Sequence, residues 1–273
     1  MANHLRPTCF LRIPTKKGLQ LLADQATNGL TGCRAAEAGP VCPWIWTQDW
    51  LELLFAHWPI PVAALRPHVP PTLGIDTFDG TAWVSLVAFR LERIRHRWLP
   101  SPDFLTDSLE LNFRTYVRYH GESGIYFLSI HASNPLLVGL ARLATPLPYQ
   151  SARMSYNRQS DSFHFDAHRP AADGKDRRFA ADFRSLGQTS RAKPGSLDHW
   201  LVERYCLFVD GRRGRLLRTV VDHPPWEVQS VQAQVGANTM GDPFGMDLAT
   251  APALAHFSMG VHAFIWPFAD PDV

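Results

Sequence analysis

Apolar and polar residues alternate along much of the chain, and a period of two predicts β-strands. In LELNFRTYVRYHG, residues 109–121, the odd-numbered positions up to Val117 are mostly apolar, whereas the even-numbered positions are polar. The polar face carries carboxylate, amide, guanidinium and phenol groups, on Glu110, Asn112, Arg114, Tyr116 and Arg118. The question is whether these groups face bulk water or an enclosed cavity that holds a ligand.

Similar strand signals occur on both sides of this segment. Residues 74–95 predict a hairpin that turns at Asp79-Gly80, and residues 123–133 predict a partner for the 109–118 strand. A second hairpin is expected over residues 204–221 around GRRG, followed by the alternating WEVQSVQAQVG and the terminal HFSMGVHAFIWPF. The terminal strand is apolar on both faces, which suits either a central strand or a contact with a second copy of the chain.

Helix signals are few. NPLLVGLARLAT predicts a helix capped by Ser133 or Asn134, with Pro135 in its first turn, and GSLDHWLVER predicts a short helix capped by Ser196. Many strands and few helices, without strand–helix alternation, predict a mostly β fold with an antiparallel sheet curled into a closed barrel or cone. Residues 1–43 have no sustained period and are expected to form a poorly ordered leader before a single domain at 44–273.

Composition excludes several classes of function. A formal net charge of +2 gives no basis for binding nucleic acid, and no apolar run reaches the ~18 residues that a membrane span needs. The four cysteines form no CxxC pair, so they predict no zinc site. The N-terminus also lacks the apolar segment of a signal peptide, and we therefore expect a cytoplasmic protein. The sequence contains no phosphate-binding glycine loop and no dinucleotide fingerprint, so no cofactor is expected, and no metal site is predicted.

Four blocks of the sequence occur in an order that resembles the YqjF-like family of bacterial proteins of unassigned function. They are residues 53–91, 109–135, 195–208 and 222–240, which begin with LLFAHWPIP, LELNFRTYV, GSLDHWLVER and DHPPWEVQS. This family is grouped with the acetoacetate decarboxylase-like superfamily, so the resemblance implies a closed antiparallel β-cone with a central cavity. By the same resemblance, the polar face of residues 110–118 is expected to line that cavity.

Acetoacetate decarboxylases form a Schiff base through a lysine of lowered pKa in a Gly-aromatic-Pro-Lys type motif, and this sequence has no such motif. The block that looks equivalent contains arginine, which stays protonated and cannot attack a carbonyl. The four lysines lie in the leader or in polar loops: Lys16, Lys17, Lys175 and Lys193. Acetoacetate decarboxylase activity is therefore not expected.

Three hypotheses for function follow. The first is a protein that binds a small anionic or polar molecule, such as a carboxylate, through the polar face of residues 110–118, because guanidinium groups suit carboxylate oxygens. The second is an acid–base enzyme, a lyase, isomerase or hydrolase of a keto or dicarbonyl compound, with Glu110, Tyr116 or His57 as proton carriers. The third is a structural or interaction protein in which the same arginines only hold strands together.

Other polar clusters have structural explanations. His164, Asp166 and His168 would share one face of a strand in HFDAH, a set that could hold iron, but the flanking residues favour a solvated edge and no metal site is predicted. The group Glu203, Arg204 and Tyr205 is expected to pair internally. His223, before Pro224-Pro225, is expected to shape a rigid turn.

Overall fold

The computed structural model describes residues 43–99, 107–171, 174–211 and 214–272, and the predicted leader lies almost entirely outside them. The described chain is mostly β, as predicted, with three short α-helices. The helices are α1 (Val62–Leu65), α2 (Pro135–Ala144) and α3 (Leu197–Val202). The strands are β1 (Trp46–Ile60), β2 (Gly74–Ile75), β3 (Ala82–His96), β4 (Ser108–Tyr119), β5 (Glu122–Ala132), β6 (Tyr149–Ser151), β7 (Arg153–Gln159), β8 (Ser162–Arg169), β9 (Arg177–Arg191), β10 (Cys206–Asp210), β11 (Leu216–Asp222), β12 (Glu227–Asn238) and β13 (Leu254–Ile265).

Strand pairing runs in the order β1-β3-β4-β5-β10-β11-β13, and β1 also pairs with β13, so these seven strands form a ring of hydrogen-bonded neighbours. From β13 the sheet continues outward through β12, β9, β8 and β7. No helix among the described residues is both long and apolar enough to cross a membrane. The mostly β fold is confirmed, and the closed barrel stays a prediction.

Two pairings correct the expectation of a purely antiparallel sheet. β5 pairs in parallel with β6 and with β10. A parallel pair needs a long crossover, and α2 supplies one between β5 and β6. The hairpin predicted at residues 74–95 is also only partly right: the turn at Asp79-Gly80 forms, with Phe78 and Thr81 bonded to each other at 2.9 Å, but β2 pairs with β4 and not with β3.

Local sequence signals account for the two predicted helices. The Asn134 side chain accepts hydrogen bonds from the backbone N–H groups of Leu136 and Leu137, and Pro135 begins α2. The Ser196 hydroxyl accepts from the N–H of His199 and caps α3. The hairpin predicted at 204–221 also forms, as β10 and β11 pair from Cys206–Val220 to Asp210–Leu216.

The ring strands β3, β4 and β5 are buried on both faces for most of their length, which a strand with one polar face does not predict. On β4, Leu111, Phe113 and Val117 join one apolar cluster, whereas Tyr116 joins a second cluster together with Trp200 and Leu201 of α3. The polar face of β4 is therefore covered by α3 and neighbouring side chains. β13 lies within the sheet, because it pairs with β1 along most of its length and with β11 and β12 at two residue pairs each. A contact with a second copy of the chain stays a prediction.

Candidate functional site

The polar face of β4 points mainly into the protein interior. Glu110, Asn112 and Tyr116 are buried, and Arg114 is half-buried. Arg118, at the end of the strand, is exposed and donates to Asp76 at 3.0 Å. Four of the five predicted residues thus leave bulk water, but they do not form one site.

Arg114 and Glu110 have different partners. The Arg114 guanidinium donates to the carbonyl of Leu201 at 3.4 Å and lies 5.7 Å from the centre of the Phe55 ring, while its Nε has no hydrogen-bond partner among the described residues. Glu110 accepts from Tyr149 Oη at 3.3 Å and from Asn112. Burial raises the pKa of Glu110 from 4.5 to about 8, so this carboxyl group is protonated at neutral pH.

The arginines next to this face take part in structural ion pairs. Asp76 binds the exposed Arg118 and also the buried Arg204, whose Nη1 donates to it at 2.9 Å. The expected internal pairing of residues 203–205 is only partly right, because Glu203 binds the Tyr205 hydroxyl and the Trp226 N–H, whereas Arg204 turns to Asp76.

Tyr116 and His57, two of the three predicted proton carriers, belong to one buried hydrogen-bond network. Tyr116 Oη lies 2.6 Å from Ser85 Oγ, which lies 2.6 Å from His57 Nδ1. On the other side of the ring, His57 Nε2 lies 3.3 Å from His256 Nδ1, and His256 Nε2 lies 2.9 Å from Asp198 Oδ1. We call these five residues the relay.

Strand register brings the relay together. His57 on β1 lies opposite Ser85 on β3, and Ser85 lies opposite Arg114 on β4, two residues from Tyr116 on the same face. His256 comes from β13, the neighbour of β1 on its other side. Asp198 comes from α3, which packs against this face through Trp200 and Leu201.

The relay is buried at its Tyr116 end and exposed to solvent at its Asp198 end. His57, Ser85 and Tyr116 have no exposed surface. The side chain of His256 is 7% exposed and that of Asp198 is 47% exposed. Burial, and then the charges of His256 and Arg114, hold the pKa of His57 well below its usual range, so this histidine is neutral at pH 7.

Asp198 and His256 line a cavity of about 790 Å³. It lies near the point where β12 pairs with β13 at only two residue pairs, Gln229–Phe257 and Ser230–His256. Its wall offers several neutral hydrogen-bonding groups, on Gln188, Ser190, Ser230 and Gln232. Among the described residues that line it there is no lysine or arginine, and none of these residues comes from β4.

The remaining candidates lie elsewhere. Among the described residues, no group of three or more His, Cys, Asp or Glu side chains could hold a metal ion. In HFDAH, His164 pairs with Asp182 at 2.8 Å and His168 pairs with Asp176 at 2.7 Å, at the surface. Lys175 and Lys193 are exposed, and Lys16 and Lys17 lie outside the described residues.

His223 occupies the rigid turn that was expected for it. It is buried, lies 2.8 Å from the carbonyl of Pro224 and stacks on Tyr205, with 4.7 Å between the ring centres. These contacts give it a structural place outside the relay.

Sequence patterns did not identify Ser85, Asp198 or His256. Ser85 interrupts the apolar run AWVSLVAF, and a lone serine in such a run carries no distinctive signal. Asp198 follows the cap of a predicted helix, where an acidic residue is common. His256 opens the terminal strand, and only its register with β1 brings it next to His57.

Comparison with known proteins assigns the family. Residues 47–262 match the family DUF2071, described as "Uncharacterized conserved protein". The chain is 38% identical over 224 residues to "Uncharacterized protein YqjF" of Bacillus subtilis (strain 168), a match that covers 82% of this chain and 91% of that protein.

Solved structures share the fold at low sequence identity. The enduracididine biosynthesis enzyme MppR complexed with pyruvate superposes with a TM-score of 0.56 at 14% identity, covering 88% of this chain and 97% of that chain. Acetoacetate decarboxylase from Legionella pneumophila gives 0.54 at 14% identity, covering 86% and 90%. The fold is therefore acetoacetate decarboxylase-like, and the protein belongs to the DUF2071 family.

Proposed function

We propose that the protein binds a small polar carbonyl compound in the cavity and that the Asp198–His256 pair transfers a proton at the carbon next to the carbonyl. The observation that carries this proposal is the position of the pair at the cavity wall, 2.9 Å apart and continuous with the buried relay. A histidine–carboxylate pair is well suited to move protons near neutral pH.

The ligand class follows from the cavity wall. Gln188, Ser190, Ser230 and Gln232 can hydrogen-bond carbonyl and hydroxyl groups, whereas no lysine or arginine among the described residues lines the cavity. A carboxylate bound by Arg114 is thus a less suitable ligand than a keto or dicarbonyl compound recognised by neutral groups. The structural neighbours include an enzyme complexed with pyruvate and an acetoacetate decarboxylase, which supports a small carbonyl compound as the ligand.

Asp198 is the member of the pair that contacts the ligand. Its Oδ1 accepts from His256, whereas its Oδ2 has no partner among the described residues, and the side chain is half-exposed. The pair can take a proton from the ligand and return it, while amide and hydroxyl groups of the wall stabilise charge on the carbonyl oxygen. We also propose that the ring of seven strands closes into the cone that encloses the relay.

The test is deuterium exchange. The protein is incubated in D₂O with a panel of keto acids and β-dicarbonyl compounds, and loss of the proton next to the carbonyl is followed by ¹H NMR. D198N is expected to lower catalysed exchange by roughly 100-fold, the size of a typical general acid–base contribution. D182N is the matched control, because it removes a carboxylate from the exposed pair with His164 and should change the rate less than twofold.

The possible results separate the three hypotheses. Binding in calorimetry without exchange would leave a binding protein and refute the acid–base step. Absence of both binding and exchange across the panel would favour a structural protein. Borohydride with pyruvate is expected to trap no covalent adduct, because both described lysines are exposed and neither lines the cavity.

A further inference from the structure

The relay begins and ends on the same short helix. Asp198, near the start of α3, accepts from His256, and the backbone carbonyl of Leu201, near its end, accepts from Tyr116 Oη at 2.9 Å. The last carbonyls of a helix have no partner within the helix and are free to accept such bonds. Five side chains therefore connect two points of α3 that lie three residues apart.

The carbonyl of Leu201 fixes the direction of the hydrogen bonds. A carbonyl can only accept a hydrogen bond, so Tyr116 donates its single O–H to the Leu201 carbonyl. The 2.6 Å contact between Tyr116 and Ser85 then requires the Ser85 hydroxyl to donate. Because Ser85 has no second proton, the 2.6 Å contact with His57 requires His57 Nδ1–H to donate to Ser85 Oγ.

The same direction continues to the cavity. His57 is neutral and carries its proton on Nδ1, so its Nε2 is an acceptor, and His256 Nδ1–H must donate to it at 3.3 Å. At its other nitrogen, His256 faces the carboxylate of Asp198, which is an acceptor as well. Both ring nitrogens of His256 therefore carry protons.

Resting on the proposed function, we propose that Tyr116, through the carbonyl of Leu201, sets the relay so that the Asp198–His256 pair rests in its proton-donating form. Tyr116, Ser85 and His57 are then positioning residues, and the pair is the catalytic group. The substrate class becomes the enol of a keto or dicarbonyl compound.

The proton balance of the step is simple. The proton on His256 Nε2 passes to the Asp198 carboxylate, which delivers it to the enol carbon. The new C–H bond uses the electron pair of the C=C bond, and Asp198 is again a carboxylate. The carbonyl re-forms and the enol O–H proton passes to water. His256 is left as a neutral imidazole with its remaining proton on Nδ1, the position that His57 requires, and it regains a proton from solvent at the cavity.

The test reads ring protonation directly, by ¹H–¹⁵N NMR of histidine-labelled full-length protein at pH 7, with signals assigned from H57Q and H256Q. In the unsubstituted protein we expect His57 protonated on Nδ1 and His256 on both nitrogens. In Tyr116→Phe, Ser85 is free to donate to His57, so the His57 proton should move to Nε2 and His256 should lose one proton. Arg114 still contacts the Leu201 carbonyl at 3.4 Å, so that group keeps a donor.

Tyr149→Phe is the control, because this buried tyrosine binds Glu110 and lies outside the relay; it should leave both histidine signals unchanged. His57 protonated on Nε2 in the unsubstituted protein would overturn the inference without any variant. The same holds if Tyr116→Phe folds and leaves both rings as they were. If His57 and His256 have the predicted protonation but no deuterium exchange occurs, the proposed function alone is refuted. If exchange occurs but the two histidines have the opposite protonation, this inference alone is refuted.

Discussion

The unsubstituted protein is expected to lose stability at alkaline pH because of Glu110, and the replacement of Glu110 with glutamine should prevent this loss. Burial raises the pKa of Glu110 to about 8, whereas in the unfolded chain it returns to about 4.5. Between these values the folded protein binds one more proton than the unfolded chain, so the free energy of unfolding falls as pH rises. Below pH 4.5 both states are protonated and the contribution is fully present.

The magnitude follows from the interval. Each pH unit between the two pKa values is worth about 1.4 kcal/mol, so this single carboxyl group removes about 4 kcal/mol of stability between pH 5 and pH 9. For a domain of this size, such a loss corresponds to a fall in Tm of roughly 10 °C. Glutamine has the shape of the protonated acid and can still accept from the Tyr149 hydroxyl, so E110Q should match the unsubstituted protein within about 1 kcal/mol at pH 5.

The assay is urea unfolding at pH 5, 7 and 9 of the unsubstituted protein, E110Q and E227Q. Glu227 is an exposed carboxylate 3.8 Å from Arg191, and its replacement should change stability by less than about 0.5 kcal/mol at every pH. The difference between E110Q and the unsubstituted protein isolates Glu110 from all other titrating groups. If that difference is the same at pH 5 and pH 9, the conclusion that Glu110 is protonated in the folded protein is wrong.

Two further predictions concern buried charge. Burial, and then Arg169 and Arg177, lower the pKa of His131 from 6.5 to about 4. The unfolded chain therefore binds this proton at a higher pH than the folded protein, and the free energy of unfolding should fall by about 3 kcal/mol between pH 6.5 and pH 4. In urea unfolding, H131Q should reduce this loss of stability at acid pH, and an unchanged loss would contradict the prediction. D76N should cost about 3 to 5 kcal/mol because it leaves the buried Arg204 without its carboxylate, whereas R118M, at the exposed end of the same carboxylate, should cost less than about 1 kcal/mol. The double variant D76N/R204M should recover most of the loss, and equal costs for the single and double variants would argue against a buried ion pair.

Local signals in the sequence were sufficient for the elements. The caps Asn134 and Ser196 and the alternation of residues 109–118 predicted α2, α3 and β4. They were insufficient for pairing, because the β5–β10 contact joins residues about 80 positions apart through a crossover that no local pattern specifies. The hairpin expected at 74–95 shows the same limit: its turn forms, yet β2 goes to β4.

The candidate site was predictable only in part for a related reason. His57 and Tyr116 were proposed as proton carriers on chemical grounds, and the structure brings both into one network. His256 is 199 positions from His57, so their contact depends on the register of β1 with β13. Glu110 was predicted as a proton carrier with Tyr116 and His57, but its partners in the structure are Tyr149 and Asn112, and it lies outside the relay.

The short helix α3 explains why these distant residues form a network at all. Both the Asp198 side chain and the Leu201 carbonyl of α3 are hydrogen-bonded to side chains of the ring, His256 on β13 and Tyr116 on β4. The ring supplies these side chains through adjacent strands: His57 on β1 lies opposite Ser85 on β3, and Tyr116 on β4 lies two residues from the position opposite Ser85. His256 on β13 lies two residues from the position opposite His57. A shift of α3 by one residue would turn Asp198 away from His256 and break the hydrogen bond at the cavity. Tyr116, at the buried end, could still donate to another backbone carbonyl of the helix. The six-residue helix α3 therefore links the direction of the hydrogen bonds in the core to the protonation of His256 at the cavity wall.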